Sequence, residues 1–428
     1  MSRAVAERPR ALVLGTEHPR AAAVIRSLAR AGIAVDVADH VAPATTLWRF
    51  SRLIRNRYRL PEAADAAVAE LERLGADRGG VLIPTNDHYL IAAARNHERL
   101  SRLFAVAAPP WDILGPLMDK VRCRALARAA GIEAPRQFVA ANPGALDGAI
   151  AGLDFAAHDY VLKSRSWEAG AADQATERRV TQAGRDAESL RRRCLEILER
   201  TGALPVIEEV VPGGAEACIG VSMLAGRDGA MRLAHCVRRR RLQVYSRGGF
   251  RHPYELGANA YCESVHDEEA VALAAKLVRH ARFHGVITVE FKRHAVDGRL
   301  RLIKADPRFV RATALSMALG LDLPLALYED AAGVNRQSPD PTAYRDAAAW
   351  IWLEAYLASL WKGRRERPMG PELLALARRL PRLRAAAYFA WRDPLPAIAR
   401  SGLVLRRALA AGGRALAGRD RAPLREGA

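Results

Sequence analysis

Short apolar runs alternate with longer stretches of helical spacing through the first hundred positions. Residues 11–14 are a continuous apolar run of strand length; residues 21–31 carry apolar positions three and four apart and stop at Gly32; residues 33–37 give a second strand. Further strands are predicted at 81–83, stopped by Pro84, and at 104–107, stopped by Pro109 and Pro110. Buried strands separated by helices predict a parallel sheet. The turn after the first strand, Gly15-Thr16-Glu17-His18-Pro19-Arg20, lacks the Gly-x-Gly-x-x-Gly spacing that brings a pyrophosphate against the backbone, so a dinucleotide cofactor is disfavoured.

A helix is predicted over 117–130, closed by Gly131, and beyond it the pattern changes. Residues 160–163 and 205–211 read as strands. Residues 219–224 and 231–239 read as an antiparallel pair around Arg227-Asp228-Gly229, and 286–292 with 300–305 as another around Asp297-Gly298. This middle region is expected to be α+β. From about 340 the strand signals stop, and the remainder reads as helical.

At 428 residues the chain is too long for one core, so two or three domains are expected. The net charge of +19 raises the question of nucleic acid, but 60 Arg stand against 6 Lys and Ala is abundant throughout, which is a compositional bias and no argument for a polyanion partner. Residues 362–428 hold 16 Arg plus Lys against 5 acids, and Trp361 precedes Lys362-Gly363-Arg364-Arg365. That combination suits peripheral contact with an anionic membrane, and equally an amphipathic helical appendage on the body, the preferred reading because Asp393-Pro394-Leu395-Pro396 would break a continuous surface helix. The longest apolar stretch, 347–361, is interrupted by Glu354 and falls short of the roughly 20 residues needed to cross a bilayer. Five dispersed Cys and an N-terminus without a signal-peptide pattern lead us to expect reduced thiols and a cytoplasmic protein.

In a chain so poor in Lys, a retained Lys marks a place where a compact ammonium is useful. Lys163 ends a strand and faces the loop Ser164-Arg165-Ser166-Trp167-Glu168-Ala169-Gly170, a position suited to a phosphate; Lys120 follows Asp119 at a helix start. Glu208 and Glu209 lie in an apolar strand before Val211-Pro212-Gly213, where backbone and acid can meet a base and its ribose. On the hairpin around Asp297-Gly298, alternation puts Glu290, Lys304, Asp306 and Arg308 on one face. Carboxylates on paired strands are a common way to hold Mg²⁺ against nucleotide phosphates.

The order of these pieces resembles the ATP-grasp superfamily of carboxylate-amine ligases, which includes D-alanine ligases, biotin carboxylase and carbamoyl phosphate synthetase. The match runs over about residues 10–335, through Ile83-Pro84-Thr85-Asn86-Asp87, Asp119-Lys120, Gly131-Ile132-Glu133-Ala134-Pro135, Lys163, Glu208-Glu209-Val210-Val211-Pro212-Gly213 and Asp306-Pro307-Arg308. The resemblance implies a Rossmann-like α/β preceding domain over 1–112 and an α+β ATP-grasp domain over 113–335, with its lid at about 125–205 and its core at 206–335. A basic helical C-terminal extension over 336–428 would follow.

It also implies ATP and Mg²⁺ as cofactors, small carboxylate and amine substrates, and a homodimer as a common assembly. Lys120 and Lys163 would hold phosphates, Glu208, Glu209 and Val211 would read the adenine, and Glu216 would bind the ribose. Glu290 and Asp306 would ligate the metal, while Arg308, Arg241 and Lys304 would face the reacting phosphate. The substrate-facing positions fall at His88, Arg247, Arg251 and Tyr254. The chain departs from the family pattern Glu-x-Asn-Pro-Arg, reading Lys304-Ala305-Asp306-Pro307-Arg308. A cation where the bridging acid belongs repels a divalent ion. Either the chemistry runs on an altered site, or the chain binds nucleotide as a scaffold without turning it over.

Overall fold

The computed structural model describes residues 8–16, 18–41, 47–165, 180–182, 186–246, 256–334, 340–363 and 368–402. Five short strands open the chain: β1 (Ala11–Leu14), β2 (Val35–Asp39), β3 (Ile54–Arg59), β4 (Val81–Pro84) and β5 (Ala105–Val106). They form a parallel sheet in the order β3-β2-β1-β4-β5. β1, β2 and β4 are buried along their whole length; β1 and β4 therefore read as unbroken apolar runs, while β2 buries Asp36 and Asp39, which are hydrogen-bonded to Arg10 and Thr16. β3 escaped the apolar pattern because it is the edge strand: its sequence Ile-Arg-Asn-Arg-Tyr-Arg leaves only Ile54 buried.

Two turns at the carboxyl ends of these strands are set by side chains. Asn86 caps the helix Asp87–Arg95, its Oδ1 accepting the Tyr89 N–H at 3.0 Å. Gly15, with φ of +79°, lies so close that a Cβ there would sit 2.4 Å from the Asn86 amide nitrogen. The helix expected over 117–130 is two helices, Trp111–Met118 and Lys120–Ala129. Asp119 separates them because its backbone is extended and its carboxylate accepts the N–H groups of Val121 (2.8 Å) and Arg122 (3.0 Å). The break turns Lys120 into the first residue of a capped helix.

The second sheet is small: β6 (Gln137–Phe138), β7 (Tyr160–Lys163), β8 (Val180–Gln182) and β9 (Val206–Glu209), in the order β6-β9-β7-β8. Leu146, Ile150, Tyr160, Leu162, Leu190, Cys194 and Ile207 give it a core of its own, formed with the helices Leu146–Ala151 and Ala187–Thr201. The third sheet has seven strands: β10 (Cys218–Ala225), β11 (Met231–Ser246), β12 (Leu256–Val265), β13 (Gly285–Arg293), β14 (Leu300–Asp306), β15 (Ala349–Ile351) and β16 (Leu383–Ala386). Its order is β14-β13-β10-β11-β12-β15-β16. The C-terminal part is helical as expected, with Leu353–Gly363 and Met369–Arg379, and it also adds β15 and β16 to the body sheet. Those strands were hidden because three or four residues carry too little period to read.

One core joins the N-terminal sheet to the body, running from Leu12, Leu14 and Leu82 through Leu114 and Leu117 to Ile287 and Phe291. No helix of the described residues is long and apolar enough to cross a membrane. The residues on which the expected membrane contact rests, the Lys362 side chain and 364–367, lie outside the described residues, beside an exposed Trp361.

Gly15→Ala tests the turn that aims Asp87. It should lower stability by about 2 kcal/mol or more, combining a left-handed backbone with displacement of the Asn86 cap, seen as a lower urea midpoint at unchanged slope.

Candidate functional site

The β13–β14 hairpin sets Glu290 opposite Lys304 and Thr288 opposite Asp306. The Lys304 ammonium lies 2.6 Å from the Asp306 carboxylate and 3.5 Å from that of Glu290. Arg239 of β11 ion-pairs with Glu290. Arg308 continues the row, its Nε donating to Asp87 Oδ1 at 2.5 Å and its Nη2 to Asp306 Oδ1 at 3.3 Å. Charges therefore alternate along Arg239, Glu290, Lys304, Asp306, Arg308 and Asp87, from the body sheet to the N-terminal sheet. Burial alone would raise the Glu290, Asp306 and Asp87 carboxyls, but the neighbouring cations outweigh it and hold all three below the usual carboxylate range. Lys304 is likewise pushed up by Asp306 and Glu290 against the effect of its burial.

The four-stranded sheet brings a second buried group. Lys163 ends β7, and its ammonium pairs with Glu208 of β9. The other Glu208 oxygen accepts from Arg124 Nη2 at 2.7 Å and Gln137 Nε2 at 2.8 Å. Burial pushes the Glu208 carboxyl up, Lys163 and Arg124 pull it down further, and it comes to rest at about 2. Arg124, one turn after Lys120, also donates to the carbonyls of Leu302 and Ile303, so it bolts this sheet to β14. Lys120 donates to the Ser164 carbonyl at 2.5 Å, and burial, then Lys163 and Lys304, lower its ammonium to about 8.

An open cleft of about 690 Å³ lies between these groups, its polar lining Asp87, Lys120, Arg124, Ser164, Lys304, Asp306 and Arg308, its apolar lining including Leu117, Met118 and Cys123. The structure thus brings Lys120, Lys304, Asp306 and Arg308 of the expected site residues to one cavity. Lys163 and Glu290 lie just behind its wall. Glu208, expected at the adenine, is instead fully used as the counter-ion of Lys163 and Arg124. Glu209 and Val211 line a different hollow of about 750 Å³ with Arg136, His158, His294 and Arg301. Glu216 is exposed in the turn before β10; burial lowers the nearby Lys292 ammonium, and Glu216 only partly opposes that.

Arg241 does not face the cleft. It is buried beneath the C-terminal helices, paired with Glu372 and stacked 5.0 Å from the Tyr356 ring. The reason is a bulge: Arg239 registers with Cys262 and Arg241 with Tyr261, so one extra residue flips the alternation and sends Arg239 to the site in its place. His88 packs at the carboxyl end of the N-terminal sheet, 4.9 Å from the Tyr89 ring. Trp167, Arg247, Arg251 and Tyr254 lie outside the described residues. Sequence reasoning missed Arg239, whose bulge leaves no local signal, and Arg124, whose spacing of four from Lys120 on one helix face was a usable one.

The metal expected at Glu290 and Asp306 does not fit the groups as they stand. Each carboxylate already has a cation within pairing distance, and the Lys304 ammonium bridges the two where an ion would sit. Among the described residues no group of three or more His, Cys, Asp or Glu is arranged to hold a metal.

No protein-family model matches the chain, and no curated protein sequence does. Solved structures do. The biotin carboxylase domain dimer of Hydrogenobacter thermophilus 2-oxoglutarate carboxylase, with MgADP, ADP and bicarbonate, superposes with a TM-score of 0.60 at 13% identity, over 80% of this chain and 73% of that one. Biotin carboxylase of Campylobacter jejuni, in complex with β,γ-ATP, gives 0.61 at 13%, over 80% and 75%. N5-carboxyaminoimidazole synthetase of Staphylococcus aureus gives 0.57 at 14%, over 84% and 86%. The chain has the ATP-grasp fold. The cleft draws on both larger parts of that fold, with Ser164 directly after β7 of the four-stranded sheet and Lys304 on β14 of the seven-stranded one.

The Glu208 ion pairs give this fold a pH signature. A carboxyl held at about 2 in the folded chain, against an ordinary 4.5, adds stability that is complete above about pH 5 and is lost as pH falls toward 2. Glu208→Gln should flatten the acid limb of the stability profile between pH 5 and 2, by about 3 kcal/mol at most, measured by urea unfolding across pH.

Proposed function

We propose that the protein is an ATP-dependent ligase that joins a small carboxylate to an amine through an acyl phosphate. The observation that carries this reading is the convergence of Lys120, Lys304 and Arg308 on one cleft, with Lys163 held behind them by Glu208. Burial lowers the Lys120 ammonium and the neighbouring ammoniums of Lys163 and Lys304 lower it further, a repulsion that is relieved when a triphosphate enters. The nucleotide complexes of the neighbouring structures support the choice of ligand.

In the proposed reaction a substrate carboxylate oxygen attacks the γ-phosphorus, the bond to the ADP oxygen breaks, and the acyl phosphate forms. The amine nitrogen then attacks the acyl carbon, inorganic phosphate leaves, and the amine proton passes to solvent. Lys163 and Lys120 neutralise phosphate oxygens, Arg308 orients the transferring group, and Lys304 supplies positive charge at the hairpin. Asp87 fixes the Arg308 guanidinium through two hydrogen bonds, so Arg308 approaches the substrate with one face already committed.

The bridging Lys304 favours a second reading, in which the cleft binds nucleotide without turning it over. The two are separated by titrating the protein with a non-hydrolysable ATP analogue, with and without Mg²⁺, and by trapping acyl phosphate with hydroxylamine in the presence of ATP and candidate acids. Binding should change less than about threefold with Mg²⁺ in the wild type, and Lys304→Glu should make it depend on Mg²⁺. Trapped hydroxamate from the wild type supports the ligase; analogue binding with no hydroxamate from any acid supports the second reading. Lys163→Met should weaken the analogue at least about tenfold, the loss of one charge-assisted contact.

A further inference from the structure

The strand order of the N-terminal sheet reverses between β1 and β4, with β2 and β3 on one side and β5 on the other. The carboxyl ends of the strands at such a reversal are the usual ligand position in a parallel sheet. There Thr85 Oγ1 donates to the Gly15 carbonyl and Gly15 lies against Asn86, so the segments leaving β1 and β4 stay in contact, and the first turn of the helix Pro19–Arg30 stands beside Asp87. Arg20 stands in that first turn. It is 6% exposed, its Nε is buried without a hydrogen-bond partner, and its guanidinium makes no ion pair among the described residues.

The charges around Arg20 leave it uncompensated. Arg308 and Arg311 approach it, and the two nearby acids are engaged elsewhere: Asp87 with Arg308, Asp306 with Lys304 and Arg308. Burial, then Arg308, lower the Arg20 guanidinium to about 9, and burial with Arg20 lowers His18 to about 3, so His18 is neutral and offers no counter-charge. Tyr388, from the C-terminal part, is buried close to the same arginines and closes another side. A guanidinium withdrawn from water with no counter-ion is expensive to keep, and the expense is recovered when an anion binds. The first-turn N–H groups of the helix add a partial positive charge at the same place.

We propose that Arg20 is the core of an anion subsite at this end of the N-terminal sheet, and that it takes a carboxylate or phosphate group of the acid substrate. Arg20 is not among the residues lining the cleft of Lys120 and Lys304, and the Arg308–Asp87 pair, which does line it, is what approaches Arg20. The group held by Arg20 is therefore separate from the carboxylate that meets the γ-phosphate. The substrate acid carries two anionic groups, as a dicarboxylate or a phosphorylated acid. This deepens the ligase reading and rests on it for the word substrate; the anion subsite itself is tested independently of turnover.

The test is thermal unfolding of the full chain in succinate or in inorganic phosphate, each against sodium chloride of equal ionic strength. Wild type should gain melting temperature in at least one of the two anions beyond the chloride control, and which anion does so distinguishes the dicarboxylate from the phosphorylated acid. Arg20→Met should melt higher than wild type without anion, because an uncompensated buried charge has gone, and should show no anion-specific gain. Lys163→Met should retain the gain, which excludes the nucleotide lysines as its source. Should Arg20→Met fail to fold, Arg20→Lys should fold and bind the effective anion about tenfold more weakly. A gain equal to that in chloride, or one that survives in Arg20→Met, overturns the proposal. Binding of the non-hydrolysable ATP analogue, measured on the same Arg20→Met protein, should match wild type, so loss of the anion subsite and failure of the nucleotide reading are told apart.

Discussion

The row of alternating charges from Arg239 to Asp87 is the constraint on which the site depends. Six ionic groups on β11, β13, β14, the segment following it and the N-terminal helix Asp87–Arg95 are each paired on at least one side. In a row of this kind, largely withdrawn from water except at Lys304, no member can be removed cheaply, because its neighbours are left with uncompensated charge. The row also fixes geometry. Arg308 reaches Asp87 only while the N-terminal sheet and the β13–β14 hairpin keep their relative position, and the shared apolar core through Leu114, Leu117 and Phe291 maintains it.

The Glu208 group does for the smaller sheet what that row does for the hairpin. Glu208 collects Lys163, Arg124 and Gln137, and Arg124 also holds the carbonyls of β14. A lysine at the end of a short strand would otherwise be a long, mobile side chain. Pairing with a carboxylate on the adjacent strand restricts Lys163 to a few rotamers before any ligand arrives, so less entropy is lost on binding. The acids at 208 and 209 thus divide by strand alternation: one points into the ion-pair group, the other to the outer hollow with Arg136.

Much of the fold was legible because its central strands are buried on both faces or alternate cleanly. β1, β4, β7, β10, β13 and β14 appear where apolar runs and turn residues put them. The edge strand β3 and the short strands β15 and β16 did not show, since partial burial or a length of three or four residues leaves no period to detect. Of the site, the lysines and the hairpin charges were readable from spacing and from the scarcity of Lys. The choice between Arg239 and Arg241 was not, because it depends on a bulge set by the pairing of β11 with β12. Arg20 was invisible for a related reason: nothing local tells an exposed helix-start arginine from one enclosed by Arg308, Arg311 and Tyr388, residues far along the chain.

The change from Glu-x-Asn-Pro-Arg to Lys-Ala-Asp-Pro-Arg is coherent when charge is counted over the site and not position by position. Two carboxylates, Glu290 and Asp306, face two cations, Lys304 and Arg239, and the set is neutral. Two carboxylates holding one divalent ion would be neutral as well. The chain's own side chains therefore supply the balance that the fold's relatives are expected to take from a metal, at the cost of a softer arrangement. An ammonium donates three hydrogen bonds in directions set by a flexible stem, whereas an ion accepts ligands all round at fixed short range. Neutralising phosphate is within reach of such a group; clamping two phosphates in one rigid geometry is harder for it. In the proposed ligase the burden of orientation then shifts to Arg308, which Asp87 holds through two hydrogen bonds.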